Sequence, residues 1–304
     1  MKYEKYIKEK VIIVTGAGRG FGRAMAYAYA LHGAKVVGIA LEKSELDDLS
    51  NKLKNLGIDI LTIPKDLSKK ENINEIKDIV LKKYDNVDVI VNNAALCLWK
   101  KINDTTIGDW DKTFAVNIRA PFLLTKMFCE KMSQNGGGSI INITSRSAEI
   151  GFISEIAFSS TKWALEGLTQ CLAMELQPLN IAVNTLKVAA PEGKRLKPTG
   201  MTLSESMLQP EHIRENYATE EEMAGEFAPA WVFLAAQNAH GVTGQRLASR
   251  ELSEYIRMNG WNAALELHSR KLTEAVYVPY IFPESSGYQT PDGGYAIQKF
   301  IFKR

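Results

Sequence analysis

Residues 11–22 read VIIVTGAGRGFG, and these residues are the strongest indication of the fold. Its first four residues are apolar and predict a short strand, and the residues after the last glycine predict a helix that ends near Gly33. A glycine-rich turn between a strand and a helix lets a pyrophosphate approach the backbone amides at the positive end of the helix. The stretch therefore predicts a dinucleotide-binding turn, whose key glycines are Gly16, Gly20 and Gly22.

Outward from this turn, short β-branched runs alternate with segments of helix length. The runs cover residues 11–14, 35–39, 58–63, 87–91, 139–143 and 181–186. Runs that are apolar on every side are typical of parallel strands covered by helices on both faces. We therefore expect an α/β fold with a doubly wound parallel sheet, a Rossmann-like three-layer α/β/α arrangement whose ligand crevice lies at the carboxyl ends of the strands.

The alternation of strands and helices extends over residues 1–250, which we expect to form one dinucleotide-binding and catalytic domain. Three prolines interrupt residues 189–222, and this segment predicts a long substrate loop with one or two short helices; a solvated surface insertion is the alternative. Residues 251–304 predict an aromatic-rich C-terminal extension that packs on the same or a neighbouring subunit. Within it, residues 276–282 and 295–302 flank a Pro-Asp-Gly-Gly turn and predict a hairpin.

Charge and cysteine content narrow the class of partner. Lys plus Arg number 37 against 35 for Asp plus Glu, so no field of one sign points to nucleic acid or an anionic membrane, and a small molecule is the expected partner. The cysteines Cys97, Cys129 and Cys171 lack metal-ligand spacing and are typical of reduced thiols in a cytoplasmic protein, so we expect no metal site. We find no apolar run long enough for a signal peptide or a membrane span, and expect neither.

Further motifs follow the glycine turn along the chain. They are Asp66-Leu67 after the third strand, Asn92-Asn93-Ala94-Ala95 after the fourth, Asn117 in a helix, Ser145 after the fifth strand, Lys162, and Val183-Asn184 in the sixth strand. Together with the turn, these motifs make residues 10–244 resemble the short-chain dehydrogenase/reductase family. The resemblance implies an NAD(P)-dependent oxidoreductase that transfers hydride between nicotinamide and a small alcohol or carbonyl compound, and that forms a homodimer or homotetramer.

The motifs and the resemblance also assign roles to residues. The residues expected to contact the cofactor are Gly16, Arg19, Gly20, Phe21, Gly22, Ala40, Leu41, Asp66, Leu67, Asn93, Ala94 and Lys162. By resemblance, Asp66 and Leu67 border the adenine and Lys162 holds the nicotinamide ribose. Asn117 helps to anchor a relay of water and lysine. A helix cap is the structural alternative for Asp66, and a tie between two strands is the alternative for Asn92.

One catalytic position departs from the family pattern. Phe158 lies thirteen residues after Ser145 and one helical turn before Lys162, where the family has a tyrosine whose phenol donates or accepts the proton. The catalytic set implied by the resemblance is therefore Asn117, Ser145, Phe158 and Lys162. Phenylalanine has no hydroxyl, so the position is filled by a ring that cannot transfer a proton.

Three explanations of Phe158 stay open. A deliberate tyrosine-to-phenylalanine change would remove the acid and keep the ring, as is done to trap a complex. A natural enzyme could use another proton donor, such as Glu155, a tyrosine of the C-terminal extension or a water held by Lys162. A non-redox scaffold or regulatory protein could keep the dinucleotide site without catalysis. Because general acid catalysis contributes about 10² to 10⁴ in rate, we expect an attenuated or trapped oxidoreductase.

The end of the second strand bears on the choice of cofactor. NAD enzymes place a carboxylate there to accept from the ribose hydroxyls, whereas a 2′-phosphate needs the carboxylate absent and a cation nearby. Ala40 and Leu41 supply no carboxylate, and Arg19 or Lys43 could supply the cation, which favours NADP(H). NAD(H) stays the alternative, because Glu42 could swing back to the ribose.

Overall fold

Seven parallel strands form one sheet in the computed structural model, which describes residues 3–194 and 217–268 together with the backbone of residues 285–289 and 295–299. The strands are β1 (Val11–Thr15), β2 (Lys35–Ala40), β3 (Leu61–Pro64), β4 (Val89–Asn92), β5 (Gly138–Thr144), β6 (Ile181–Lys187) and β7 (Arg246–Ala248). Their order across the sheet is β3-β2-β1-β4-β5-β6-β7. The doubly wound sheet predicted from the sequence is confirmed, and the reversal of strand order between β1 and β4 opens a crevice at their carboxyl ends.

Helices cover both faces of this sheet. They are α1 (Glu4–Ile7), α2 (Gly20–Leu31), α3 (Lys43–Lys54), α4 (Lys70–Tyr84), α5 (Ile107–Phe114), α6 (Ala120–Gln134), α7 (Ile156–Glu175), α8 (Glu220–Ala235), α9 (Ser249–Asn259) and α10 (Trp261–His268). A π-helical segment, Ala115–Arg119, joins α5 to α6, and a 3₁₀ turn, Arg146–Ala148, follows β5.

Successive residues of β1 face opposite sides of the sheet, as the pleat of a strand requires. Ile12 and Val14 lie in one apolar core with residues of α2 and α8, whereas Ile13 lies in a second core with residues of α4 and α6. All five residues of β1 are buried, because both faces are covered. The apolar runs of the sequence are continuous because both faces of these strands are buried.

Both ends of β1, β2, β4, β5 and β6 agree with the predicted runs to within two residues. The short edge strand β7 lies outside the predicted runs, and β3 differs more. Residues 58–63 were the predicted run, but the paired strand begins at Leu61, while Ile58 and Ile60 pack against the core ahead of it. Helix α2 begins at Gly20, three residues before its predicted start, and it ends where predicted, with Gly33 at a φ of +82°. Its four alanines, at alternate positions from residue 24, favour the helix.

The first part of the expected C-terminal extension is continuous with the large domain. Helix α9 spans the boundary expected between residues 250 and 251, and its Leu252 and Ile256 are buried in the same core as α2 and α8. The indole N–H of Trp231 in α8 donates to the Ser249 hydroxyl at 3.3 Å. In α10, Trp261 stacks on Tyr6 of α1 with ring centres 3.7 Å apart. Residues 249–268 therefore pack on the same chain.

Two predictions concern segments that lie partly outside the described residues. The first is the substrate loop, whose centre, residues 195–216, is not among the described residues. At the end of that segment, residues 220–222 form the first turn of the longer helix α8, which Thr219 and Glu222 start with a capping box. The predicted hairpin strand at residues 276–282 also lies outside, and β9 (Tyr295–Lys299) pairs instead with β8 (Ser285–Gln289) in antiparallel fashion.

The described residues contain neither a membrane-spanning helix nor a cluster of metal-ligating side chains. None of the helices in the described part of the chain combines the length and the apolar character needed to cross a membrane. Within residues 3–194 and 217–268, no three side chains of His, Cys, Asp or Glu are grouped so as to hold a metal ion. The three cysteines are free thiols.

Candidate active site

The dinucleotide turn lies at the carboxyl end of β1, at the reversal point of the sheet. Gly16 has a φ of +68°, a conformation that residues with a side chain rarely adopt. A Cβ atom at Gly22 would collide with the Asn93 side chain and with the carbonyl oxygen of Gly16. The backbone therefore forms a concave cradle that depends on glycine, and this shape fits the approach of a pyrophosphate to the start of α2.

Asn93 fastens the cradle to the neighbouring strand. Its Nδ2 donates to the carbonyl oxygen of Thr15 at 2.9 Å, and its backbone N–H donates to the Thr15 hydroxyl at 2.9 Å. The backbone N–H of Ala94 donates to the same hydroxyl at 3.0 Å. Asn93 thus joins the end of β1 to the end of β4 at the edge of the crevice.

Three other residues of the predicted motifs have structural partners. The Asp66 carboxylate accepts from the Ser68 backbone N–H at 2.9 Å, as in a turn cap. Leu67 is buried in the core that α4 and α6 share. Asn92 donates to Asn142 Oδ1 at 2.8 Å and so ties β4 to β5, the structural alternative that the sequence suggested. The adenine contacts of Asp66 and Leu67 stay predictions.

Arg19 lies beside the cradle in an ion pair with Glu45. The Arg19 Nε lies 3.4 Å from Glu45 Oε1, and both side chains are largely buried. Nη1 of Arg19 is buried and has no hydrogen-bond partner among the described residues. Its neighbour Arg23, in contrast, donates to Asp48 at 2.6 Å and also to Glu220. The sequence did not single out Glu45, which now stands next to the cation expected to meet the cofactor.

A cavity of about 560 Å³, here called the Ser145 cavity, opens beside the cradle. Ser145, Phe158 and Lys162 line it together with Phe21 and Asn93 from the cradle side. The remaining wall is formed by Ala95, Cys97, Trp99, Ile143, Thr144, Arg146, Ser147, Glu155, Lys187 and Val188. The structure therefore brings three of the four predicted catalytic residues to one opening.

Lys162 reaches this cavity from α7, one turn after Phe158. Its Nζ donates to the carbonyl oxygen of Ile143 at 2.7 Å. Burial lowers the pKa of Lys162 to about 8, although the nearby Cys97 and Glu166 oppose the shift. The ammonium is therefore a group whose charge changes at mildly alkaline pH inside the cavity wall.

Ser145 is held from two sides at the end of β5. Its hydroxyl accepts from the Ser147 backbone N–H at 3.1 Å and so caps the 3₁₀ turn that follows. Arg246 of β7 donates to the Ser145 carbonyl oxygen at 3.2 Å and to Glu149 at 2.9 Å. Sequence reasoning missed Ser147 and Arg246, because the approach of Arg246 depends on the order of the strands.

Asn117 lies in the π-helical segment between α5 and α6, a kind of irregularity that is frequent at functional sites. Its Oδ1 accepts from the Leu96 backbone N–H at 2.8 Å, and its Nδ2 donates to the Leu96 carbonyl oxygen at 3.0 Å. The same Nδ2 donates to the Thr161 hydroxyl at 2.9 Å. Asn117 thus joins the loop after β4 to α7, and its role in a water relay stays a prediction.

Comparisons with known proteins identify the family of the chain. The model of the short chain dehydrogenase family matches residues 10–196. The NAD-dependent glycerol dehydrogenase of Listeria innocua is 35% identical over 185 residues, which are 59% of this chain and 70% of that protein. The trans-4-hydroxycyclohexanecarboxylate dehydrogenase of Sinomonas cyclohexanicum is 33% identical over 186 residues, with shares of 59% and 71%. A solved structure of a metagenomic short-chain oxidoreductase in complex with NADP has a TM-score of 0.64 and 25% identity, and the match covers 80% of this chain and 99% of that one.

Proposed function

Since the chain belongs to the short-chain dehydrogenase/reductase family and is an NAD(P)-dependent oxidoreductase, we propose that it transfers hydride between the nicotinamide cofactor and a small alcohol or the matching carbonyl compound. One observation carries this proposal. The Ser145 cavity is lined by Phe21 and Asn93 at the dinucleotide cradle and by Ser145 and Lys162 on the other side. A substrate in this cavity would meet the cofactor and the serine hydroxyl together.

The residues of the cavity would divide the work of the reaction. When bound, the nicotinamide supplies or accepts the hydride. The half-buried hydroxyl of Ser145 donates a hydrogen bond to the substrate oxygen and polarises its bond to carbon. The buried Lys162 ammonium stabilises negative charge that develops on that oxygen. Phe158 offers no proton, so we propose that proton transfer is slower than in a tyrosine enzyme by part of the roughly 10² to 10⁴ that general acid catalysis contributes.

The substrate class that we propose is a small secondary alcohol or polyol, or its ketone. The names of two relatives support this class, because they specify glycerol and trans-4-hydroxycyclohexanecarboxylate, both small hydroxylated molecules. Trp99, Phe158 and Val188 supply apolar walls to the cavity, and Lys187 supplies a cation that could meet a carboxylate. A volume of about 560 Å³ would leave room for such a molecule beside a bound nicotinamide ring.

We propose NADP(H) as the preferred cofactor and NAD(H) as the weaker ligand. At the end of β2, Ala40 has no carboxylate, and Leu41 beyond it is an exposed apolar side chain. Arg19 offers the 2′-phosphate a donor, Nη1, for which the described residues provide no partner. Glu45 weakens the expected preference for NADP(H) over NAD(H), because its carboxylate already pairs with the Arg19 guanidinium. The NADP in the similar metagenomic oxidoreductase supports the choice.

The sequence also suggests an assembly and a location, which we keep as proposals. A homodimer or homotetramer is the proposed assembly, because it is the assembly that the resemblance to the family implies. The proposed location is the cytoplasm, where thiols such as Cys129 and Cys171 stay reduced.

A non-redox nucleotide-binding scaffold or regulatory protein is the second candidate function. The observation that favours it is Phe158, because the usual proton donor of the family is missing. Calorimetry with NADP(H) and NAD(H), followed by turnover assays with glycerol, cyclohexanol and trans-4-hydroxycyclohexanecarboxylate, separates the two candidates. Ligand at about a hundred times its Kd should add roughly 2.7 kcal/mol to the free energy of unfolding. Binding without turnover in either the unmodified chain or Phe158→Tyr would favour the scaffold, and no binding would contradict both candidates.

A further inference from the structure

Glu155 lies three residues before Phe158, and its carboxyl group is in the wall of the Ser145 cavity. It is the N-cap residue of α7, yet its side chain makes no capping hydrogen bond. The carboxyl instead accepts from the Ser147 hydroxyl at 2.7 Å and from the Trp99 indole N–H at 3.3 Å. The carboxyl is therefore directed to the cavity wall and not to the backbone amides of the first turn of α7.

The backbone holds Glu155 in this place in an unusual conformation. Ser154, just before it, has a φ of +67°, in the left-handed region that residues with a side chain rarely adopt. The Ser154 carbonyl oxygen accepts from the Lys100 backbone N–H at 2.9 Å, and Lys100 pairs with Glu155 in an isolated parallel bridge. The loop that carries Trp99 is thereby fastened to the start of α7. Strained residues of this kind cluster at functional sites.

Two serine hydroxyls connect the Glu155 carboxyl to the place of the substrate oxygen. Ser147 Oγ lies 2.7 Å from Glu155 Oε2 and 3.2 Å from Ser145 Oγ. Each serine hydroxyl has one proton to donate and two lone pairs that accept. Each can therefore pass a proton to one neighbour while it receives a proton from the other. The three side chains form an unbroken path between a carboxyl group and the hydroxyl that meets the substrate.

The surroundings favour a proton on this carboxyl at higher pH than usual. Burial raises the pKa of Glu155 above the ordinary value, and the hydrogen bonds from Ser147 and Trp99 only partly oppose the shift. The other titratable or charged groups in the cavity wall come from four different segments and are Cys97, Arg146, Lys162 and Lys187. Lys187 is paired with Glu149 at 3.2 Å, and burial raises the pKa of the Cys97 thiol, which keeps the thiol neutral.

We propose that Glu155, acting through Ser147 and Ser145, exchanges with the substrate oxygen the proton that Phe158 cannot supply. The inference rests on the proposed function, because the nicotinamide chemistry of that function provides the hydride and its two electrons. During reduction, the substrate oxygen takes the proton of Ser145, Ser145 takes that of Ser147, and Ser147 takes that of the Glu155 carboxyl. Oxidation of an alcohol moves the three protons in the opposite direction. The half-buried carboxyl then regains or releases its proton by exchange with water.

Glu155→Gln tests the path, because the amide keeps the shape and can accept a hydrogen bond but cannot release a proton. In the chain with Phe158, we expect kcat to fall about 10²-fold while cofactor affinity stays within about twofold. Ser147→Ala should lower kcat by a similar factor, since it interrupts the path. Glu175→Gln is the matched control, because Glu175 is exposed at the other end of α7, and it should leave kcat unchanged.

The same change in a Phe158→Tyr background separates proton transfer from structural support. With a phenol available, Glu155→Gln should change kcat by less than about threefold, so the two changes should be strongly non-additive. A merely structural role of Glu155 would slow both backgrounds by the same factor. The pH profile of kcat adds a second criterion. In the Phe158 form, titration of Glu155 should make kcat change with pH, and this change should be absent from the glutamine variant.

A measurement on the free protein needs no turnover. Difference infrared spectra between the unmodified chain and Glu155→Gln, recorded from about pH 4 to about pH 8, should show a protonated carboxyl that titrates above the ordinary glutamate pKa. Ser147→Ala should raise that pKa further, because the Ser147 hydroxyl stabilises the carboxylate.

The outcomes distinguish the relay from the function on which it rests. A carboxyl that titrates at the ordinary value, or equal losses in both backgrounds, would overturn the relay. Turnover by the Phe158→Tyr form with none by the Phe158 form would also overturn it and would leave the proposed function intact. Turnover by neither form on any of the alcohols tested would overturn the proposed function and the relay with it.

Discussion

The ammonium nitrogen of Lys162 lies 5.3 Å from the centre of the Phe158 ring, inside the wall of the Ser145 cavity. One turn of α7 separates the two residues, so the helix itself sets their spacing. Both side chains are buried, with exposed fractions of 9% for Phe158 and 4% for Lys162. A cation beside an aromatic face is favourable for phenylalanine, and it would lower the pKa of a phenol in the same place.

Phe158→Tyr should therefore raise turnover of an accepted alcohol or ketone by about 10² or more, because the new hydroxyl transfers a proton directly. Cofactor affinity should change little, since the contacts of the dinucleotide cradle are untouched. Steady-state kinetics and calorimetry of the two forms measure the two quantities. Equal kcat values for the Phe158 and Phe158→Tyr forms would mean that another group already transfers the proton as fast as a phenol would.

Lys162→Ala in the Phe158→Tyr background should remove most of that gain, because the phenol loses the neighbouring positive charge. The sign of the pH effect follows from the pKa of Lys162 of about 8. Below that pH the ammonium is charged and lowers the phenol pKa, and above it the influence fades. We therefore expect the difference between the forms with and without the Lys162→Ala change to be largest below about pH 8 and to shrink above it. A difference that grows with pH would contradict the assignment.

Glu45→Gln should increase the preference for NADP(H) over NAD(H), and Arg19→Ala should decrease it. The first change frees the Arg19 guanidinium from its ion pair, and the second removes the donor for the 2′-phosphate. Hydrogen bonds to charged groups contribute about 1.5–3 kcal/mol, so each change should alter the ratio of Kd values by about tenfold or more. Lys43→Ala is the control, because Lys43 is an exposed lysine paired with Asp47. If only Lys43→Ala narrows the preference, Lys43 is the cation that matters.

Glu155→Gln should stabilise the fold at neutral pH and have no such effect in acid. The folded-state pKa of Glu155 is raised above its unfolded value, so the carboxyl costs no stability below the unfolded pKa, where both states are protonated. As pH rises through the folded pKa, the half-buried carboxylate destabilises the folded state. The glutamine variant carries no charge there, so it does not lose this stability. Urea unfolding at a series of pH values checks the trend, with Glu175→Gln as reference. A stability difference that grows toward low pH would show that the sign is wrong.

Leu252→Ala should lower the free energy of unfolding by about 2–5 kcal/mol, the usual loss for a leucine removed from a packed core. Leu252 in α9 is 3% exposed and lies in the core with residues of α2 and α8. Met258 in the same helix is 83% exposed, and Met258→Ala should change stability by less than about 0.5 kcal/mol. Urea unfolding of both variants measures the difference. Equal small effects would mean that α9 is not part of the domain core.

The dinucleotide cradle and the sheet were predictable from the sequence because their causes are local. A glycine such as Gly16 is required wherever the backbone takes a positive φ, and buried parallel strands must be apolar at every position. The spacing of Phe158 and Lys162 on one turn of a helix is equally local. The predicted ends of β3 and the predicted start of α2 were less accurate. Apolar residues such as Ile58 can pack against a core without pairing in a strand, so an apolar run does not mark the exact end of a strand.

Tertiary packing brings together side chains that lie far apart in the chain. Arg19 meets Glu45 because β1 and β2 are neighbours in the sheet, and Arg246 reaches Ser145 because β7 lies beside β6. Residue types and periodicity specify which elements form and which faces they bury, whereas partners across the sheet depend on strand order and packing distance. The orientation of Glu155 toward Ser147, away from its own helix cap, is of this second kind. Local residue patterns therefore specify the fold and the family of chemistry, whereas tertiary packing sets which charges and protons face one another in the site.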